Sequence, residues 1–228
     1  MTLRAVLFDC FDTLAYYPPS ETRAEGIRLV AEAGVSEERW IAGWRSTWER
    51  ALRGEIQTME ERVRESLAAA GLAQPPENLV RALTASREDQ VRTITAYSDV
   101  QDCLLNLRQQ GYRLGLIGNL FAYEASALDR LGARSLLDDA VLSCEMGIRK
   151  PDPRIYLAAA ERLSVPPAEC IFIGDGMSRE LSGAKAVGMT AVRIDRDHRS
   201  DDDPRDEVFD FRVTNLQELL DWLPSSAG

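Results

Sequence analysis

The sequence predicts an α/β protein, a doubly wound parallel sheet with a bundle of helices inserted directly after its first strand. Three observations carry this expectation. Short apolar-rich runs recur at 5–8, 113–117, 140–142, 170–173 and 190–194, separated by stretches of helical period. Runs that are apolar on both faces suit strands covered by helices on both sides, as in parallel sheets. Between about 18 and 95 the strand signal vanishes, and the chain becomes rich in Ala, Glu, Arg and Leu at helical spacing.

The elements follow in order. The run 5–8 ends abruptly in Asp9, where the carboxyl end of a parallel strand meets the ligand crevice of an open α/β sheet. Four helices are expected next. The first spans about 20–33, with Ser20 as cap and Gly34 as stop, and the second about 36–54. The third spans 58–71, because Thr58 and Glu61 have capping-box spacing, and the fourth covers about 77–94 after Pro75-Pro76. Short connections between such helices make a small bundle. Residues 99–110 form an amphipathic helix, 113–117 a strand ending in Gly118-Asn119, and a helix then runs to about 130. A strand at 140–142, a helix at 152–163, a strand at 170–173, a helix at 178–186 and a strand at 190–194 continue the alternation. Residues 196–207 read as an exposed polar loop, 209–213 as a last strand, 216–223 as a closing helix, and 225–228 as a frayed tail.

The 228 residues are 45% hydrophobic and 28% charged, which suits a soluble protein of one or two domains with a substantial core. A net charge of −10 argues against nucleic acid or an anionic membrane as a partner, while leaving open an anionic small-molecule substrate that feels only the local field. Cys10, Cys103, Cys144 and Cys170 form no Cys-x-x-Cys pair and read as core thiols rather than a zinc or redox site. No apolar run approaches the ~20 residues of a membrane span, and Met1 leads straight into a strand without a leader peptide. The expectation is a cytoplasmic protein. Oligomeric state is not legible.

Four stretches carry chemistry. The first is Asp9-Cys10-Phe11-Asp12-Thr13-Leu14 after its strand, and the second is Gly118-Asn119. The third is Arg149-Lys150-Pro151-Asp152-Pro153, in which the prolines hold the backbone while the lysine projects. The fourth is Ile173-Gly174-Asp175-Gly176-Met177-Ser178-Arg179-Glu180, with glycines that permit a tight turn beside a ligand. Asp9 and Asp175 each close a strand, so two carboxylates can meet at one sheet edge, a pairing that suits a hard cation.

In order and spacing these stretches resemble motifs I to IV of the haloacid dehalogenase-like (HAD) hydrolase superfamily, over essentially the whole chain. The resemblance implies a Rossmann-like HAD core, residues 1–15 and 96–228, and a helical cap domain, residues 16–95, that covers the active site. It implies Asp9 as the nucleophile, catalysis by Asp9 and Lys150, and phosphate binding by Gly118, Asn119 and Lys150. It implies a magnesium ion held by Asp9, the backbone carbonyl of Phe11 and Asp175, with Glu180 in support. Two positions depart from the superfamily pattern. Phe11 stands where phosphatase members carry the Asp that acts as general acid/base, a loss worth roughly 10²–10⁴-fold. Gly118 stands where a Ser or Thr hydroxyl is usual, removing a donor worth about 1 kcal/mol. A glycine amide at a helix N-terminus can still bind an oxyanion.

Three readings follow. The first is a magnesium-dependent phosphatase of a small organic phosphate acting through an aspartyl-phosphate. The second is a 2-haloacid dehalogenase-like hydrolase in which Asp9 attacks carbon, favoured by Phe11 and opposed by Asp175. The third is a HAD-fold binding protein with decayed catalysis, motivated by Phe11 and Gly118 together. Trp40, Trp44 and Trp48, spaced i, i+4, i+8, form either bundle core or the wall of a substrate pocket. Tyr16 and Tyr17, at the entry to the helical insert, are candidates for substrate contact or for a hinge, and Trp44 is a further candidate for substrate contact. The lone histidine, His198, falls in the polar loop.

Overall fold

The computed structural model describes residues 2–130, 132, 134–197 and 208–223. The first apolar run is β1 (Ala5–Phe8), followed by a short β2 (Ala15–Tyr16). Five helices come next: α1 (Thr22–Glu32), α2 (Glu37–Ser46), α3 (Trp48–Leu52), α4 (Met59–Ala69) and α5 (Glu77–Arg92). The chain returns through β3 (Thr95–Ala96), antiparallel to β2, so the insert leaves and rejoins the core on adjacent strands. Then follow α6 (Val100–Gln109), β4 (Arg113–Gly118), α7 (Ala125–Arg130), β5 (Asp139–Leu142), the short α8 (Ser143–Met146) and α9 (Pro153–Leu163). The chain closes with β6 (Cys170–Gly174), α10 (Glu180–Ala186), β7 (Thr190–Ile194), β8 (Phe211–Val213) and α11 (Leu216–Trp222).

Six strands make one parallel sheet in the order β5-β4-β1-β6-β7-β8. The chain winds outward from β1 in both directions, which places the crevice at the carboxyl ends of β1, β4 and β6. Side chains of β1 alternate between two cores. Val6 and Phe8 pack with Leu104, Leu107 and Leu219 from α6 and α11 on one face. Ala5 and Leu7 pack with Ile155, Ala159 and Leu181 from α9 and α10 on the other. This two-sided burial is the physical origin of the apolar strand runs in the sequence.

The insert has its own core, in which Val30, Trp40, Val63, Leu67, Val80 and Leu83 are buried together. Ser36 and Thr58 cap α2 and α4, accepting from the Arg39 and Glu61 amides at 3.4 and 3.1 Å. One expected helix, 36–54, is two. The break lies at Thr47, whose hydroxyl donates to the Trp44 carbonyl at 2.9 Å and accepts from Arg62 Nε at 3.1 Å. A side chain that binds the preceding turn and a neighbouring helix competes with the continuing helical ladder.

The expectation of an exposed loop from 196 is corrected at its first residue. Arg196 is buried, 7% exposed, and donates twice to the Thr13 carbonyl, at 3.1 and 2.8 Å, and once to Asp99 at 2.7 Å. A guanidinium two residues past a central strand can reach the β1 loop, and five donors let it hold several acceptors at once. His198, the rest of that loop to 207, and the tail 224–228 lie outside the described residues. No helix among the described residues is long and apolar enough to cross a membrane.

Candidate active site

Asp9 extends β1 by one residue, its amide donating to the Ile173 carbonyl of β6 at 2.8 Å. The carboxylate therefore sits on the carboxyl edge of the sheet. The Thr13 hydroxyl reaches Asp9 Oδ2 at 3.5 Å. Lys150 approaches from the loop before α9, and its Nζ donates to Asp9 Oδ1 and, at 2.6 Å, to Glu180 Oε2. Its position is fixed by Asn119. The Asn119 side chain accepts from the Lys150 amide at 2.8 Å and donates to the Lys150 carbonyl at 3.3 Å. Lys150 is 1% exposed, Asp175 and Glu180 are 2%, and Asp9 is 7%.

The turn between β6 and α10 folds two acids onto the same centre. Gly176 has φ +91°, and the non-glycine residues Ser178 and Arg179 also take left-handed conformations, at φ 56° and 55°. Such backbone costs about 1–3 kcal/mol per residue. In return the Met177 amide binds Asp175 Oδ1 at 3.0 Å, and the Gly176 amide binds Glu180 Oε1 at 3.1 Å. A Cβ on Gly174 would lie 2.1 Å from Glu180 Oε1, so only glycine lets Glu180 come this close. Tyr156 of α9 donates to the Glu180 carbonyl at 2.8 Å and anchors the start of α10.

The electrostatics follow from burial. Burial alone would push the Lys150 amine down, but Asp9 and Glu180 outweigh it and leave the group above its ordinary value, hence ammonium. Burial, and then the neighbouring Asp9, raise Glu180 well above the usual carboxylate range, against the opposing pull of Lys150. Burial also raises the Cys10 thiol, with Asp9 adding to it, so Cys10 beside the candidate nucleophile stays a neutral thiol.

Asp9, Asp175 and Glu180 each bring a carboxylate oxygen within 4.8 Å of the others, and all three are buried. A buried cluster of three oxygen donors is the kind of set a hard divalent cation takes. Within it Glu180 accepts from Lys150 and Gly176, Asp9 from Lys150 and Thr13, and Asp175 from the Met177 amide.

The structure thus brings Asp9, Asn119, Lys150, Asp175 and Glu180 together. Gly118 is the last residue of β4, paired with Leu142, and the residues after it form a turn and a short 3-10 helix at Ala122–Glu124. It does not itself open a helix, which corrects the expectation of a glycine amide at a helix N-terminus. A Cβ there would lie 2.9 Å from Leu120 Cγ and 3.1 Å from Leu116 Cδ2, which accounts for the small residue at this position. Phe11 is half-buried, and its ring stacks on Tyr17 at 5.0 Å. Tyr16 packs against Tyr97 at 4.8 Å. Trp40 is buried in the bundle core and, with Trp44 and Trp48, borders a cavity of about 590 Å³ between α1, α2, α3, α5 and the Met177-Ser178 turn.

Sequence reasoning missed two groups near this site. Glu124, 5% exposed, accepts from the Tyr17 hydroxyl at 2.5 Å and from the Phe121 amide at 3.0 Å. Burial raises its carboxyl to about 7. Arg62, 1% exposed, donates to the Tyr123 hydroxyl and lies over the Trp44 and Phe121 rings at 4.0 and 4.2 Å. In sequence both are one more charge on a helical stretch, and only packing marks them.

Comparison with known proteins bears on this geometry. Residues 3–188 match the profile of a hydrolase family, the haloacid dehalogenase-like hydrolases. The chain is 33% identical to a glyceraldehyde 3-phosphate phosphatase of Methanopyrus kandleri, covering 96% of both chains. It is 30% identical to (S)-2-haloacid dehalogenase 4A of Burkholderia cepacia, covering 86% of this chain and 84% of that one. Among solved structures it resembles a HAD phosphatase from Thermococcus onnurineus, with a TM-score of 0.71, 25% identity and coverage of 99% and 100%.

Proposed function

The chain belongs to the haloacid dehalogenase-like hydrolase family, and from that premise we propose that it is a phosphatase of a small organic phosphate, with Asp9 as nucleophile. The observation that carries this reading is the buried Lys150 ammonium held between Asp9 and Glu180, with the Asp175 carboxylate beside them. The 33% identity to a glyceraldehyde 3-phosphate phosphatase over 96% of both chains supports it. In this reading residues 16–95 are the cap domain, and residues 1–15 and 96–228 are the core.

Asp9 Oδ attacks phosphorus and the bond from phosphorus to the leaving alcohol oxygen breaks, leaving an aspartyl-phosphate. The Lys150 ammonium donates to Asp9, and its positive charge balances the oxygens of the transferring group. Asn119 holds Lys150 in place, and the strand-end amides near Gly118 contribute donors to the phosphoryl oxygens. Water then attacks phosphorus, phosphate leaves, and the Asp9 carboxylate is restored. Magnesium fits the cluster, with Asp9, Asp175 and the Phe11 carbonyl as its protein ligands and Glu180 in support. When bound, it supplies charge neutralisation of the phosphoryl oxygens. Phe11 offers no proton to the leaving oxygen, so esters of acidic alcohols are the better substrates.

A second reading rests on Phe11 and on the 30% identity to a haloacid dehalogenase: Asp9 displaces halide from carbon. Asp175 opposes it, because a buried acid there has no task in metal-free displacement. The test is phosphate release from p-nitrophenyl phosphate and sugar phosphates with and without magnesium, run beside halide release from 2-chloropropionate. The phosphatase reading expects magnesium-dependent phosphate release that is lost in Asp9→Asn. Halide release without metal, and no phosphate release, would overturn it.

A further inference from the structure

The cavity beside the Asp175 turn has a composition that the phosphoryl chemistry does not require. Three cations line it, Arg23 from α1, Arg45 from α2 and Arg87 from α5, together with Trp40, Trp44 and Trp48. Met177 and Ser178 close it on the core side, and the Met177 amide is the donor that orients Asp175. The cavity therefore shares a wall with the site.

Among the described residues none of the three guanidinium groups makes an ion pair, although the chain carries 37 acidic residues and a net charge of −10. Arg87 is half-buried. It donates to Gln90 Oε1 at 3.2 Å, sits 4.8 Å over the Trp44 ring, and leaves its buried Nε without a protein acceptor. Burial, then the Arg62 and Arg23 cations, push the Arg87 guanidinium below its ordinary value. Elsewhere on the insert arginines find carboxylates, as Arg64 does with Glu60 and Glu77, and Arg50 with Glu55 and Glu65. Cations gathered without counterions in a partly desolvated cleft raise the local concentration of anions and leave donors for one.

We propose that this cavity is a second-anion subsite: it receives the end of the substrate remote from the scissile phosphoryl group, and that end carries an anionic group held by Arg23, Arg45 and Arg87. Trp44 faces the connecting carbon skeleton. The substrate class is then an organic phosphate bearing a further carboxylate or phosphate. This deepens the phosphatase reading and rests on it for the identity of the other end.

The test uses three non-hydrolysable probes with the same five-carbon chain: pentylphosphonate, the chain ended in a carboxylate, and the chain ended in a second phosphonate. Binding to the full-length protein with magnesium chloride is followed by calorimetry and by tryptophan fluorescence. At least one anion-ended chain is expected to bind about tenfold tighter than pentylphosphonate, and which of the two does so identifies the group. Arg87→Gln should remove that advantage while leaving pentylphosphonate binding within twofold. Arg23 and Arg45 are exposed, so the Arg23→Gln/Arg45→Gln double variant tests the same point if Arg87→Gln fails to fold. Equal affinity for all three probes, or an equal loss for all three in the variants, overturns the subsite. Binding of anion-ended chains without any of pentylphosphonate, and without phosphate release from any ester, would instead sink the phosphatase reading and leave the subsite standing.

Discussion

Lys150 Nζ lies 2.6 Å from Glu180 Oε2 while the same ammonium donates to Asp9, so one buried cation serves two buried acids, one just past the end of β1 and the other at the start of α10. The arrangement balances only as a set. Removing the cation leaves carboxylates facing each other without water to screen them, whereas removing either acid leaves a pair.

Lys150→Met is therefore expected to cost more stability than Glu180→Gln. Breaking a buried ion pair from one side costs about 3–5 kcal/mol, because an uncompensated charge remains. Urea unfolding of both variants checks the order, and equal midpoints would contradict it. Activity should fall by roughly 10²-fold or more in Lys150→Met even where the protein is folded.

Phe11→Asp should restore a proton donor near the leaving oxygen. The gain is expected to be about tenfold or more for alkyl phosphates and near nil for p-nitrophenyl phosphate, whose leaving group needs no proton. The variant gives up the Phe11–Tyr17 stack at 5.0 Å, so a loss of about 2 kcal/mol in stability should accompany the gain. Paired kcat values for the two ester types decide this. An equal change for both would show that the position has no role in leaving-group protonation.

Glu124 gives the protein a pH dependence of defined sign. Burial raises its carboxyl from 4.5 to about 7 in the folded state, and hydrogen bonds from Tyr17 and Phe121 oppose the rise. A carboxyl raised on folding contributes stability that is fully present below the unfolded value and lost as pH rises through the folded one. Between pH 4.5 and about 7 the wild type should therefore lose on the order of 3 kcal/mol relative to Glu124→Gln, which does not titrate. Thermal melts of both proteins across that window measure the difference. Parallel curves would mean that the Glu124 carboxyl is not raised on folding.

Gly118→Ser is expected to destabilise by about 1–3 kcal/mol, through crowding of Leu120 and Leu116, without a matching gain in activity. A seryl hydroxyl that raised kcat/KM with no stability loss would show that the strand end tolerates a side chain after all.

The sheet was legible because its strands are buried on both faces, so a run such as Cys170-Ile171-Phe172-Ile173 is apolar throughout, short, and set between helical stretches. Helix caps at Ser36 and Thr58 were legible for a local reason, a side-chain oxygen three residues from the amide it accepts. The candidate site was legible where chemistry is tied to strand ends, at Asp9 and Asp175, and at Lys150 through its proline frame. What the sequence could not show depends on contacts between distant segments. The break at Thr47 needs Arg62 from another helix, and Arg196 is a buried strap only because Thr13 lies beside it. The arginine-lined cavity draws one side chain each from α1, α2 and α5, and no local pattern marks the three as neighbours.

The central claim is that Asp9, Lys150 and Asp175 form one working phosphoryl site. The measurement that addresses it most directly is a calorimetric titration with beryllium fluoride, a mimic of the acyl-phosphate, with and without magnesium, using Asp9→Ala as control. The account predicts tight binding to the wild type that requires magnesium and disappears in the variant. No binding to a folded wild type, or binding that survives Asp9→Ala, would contradict it.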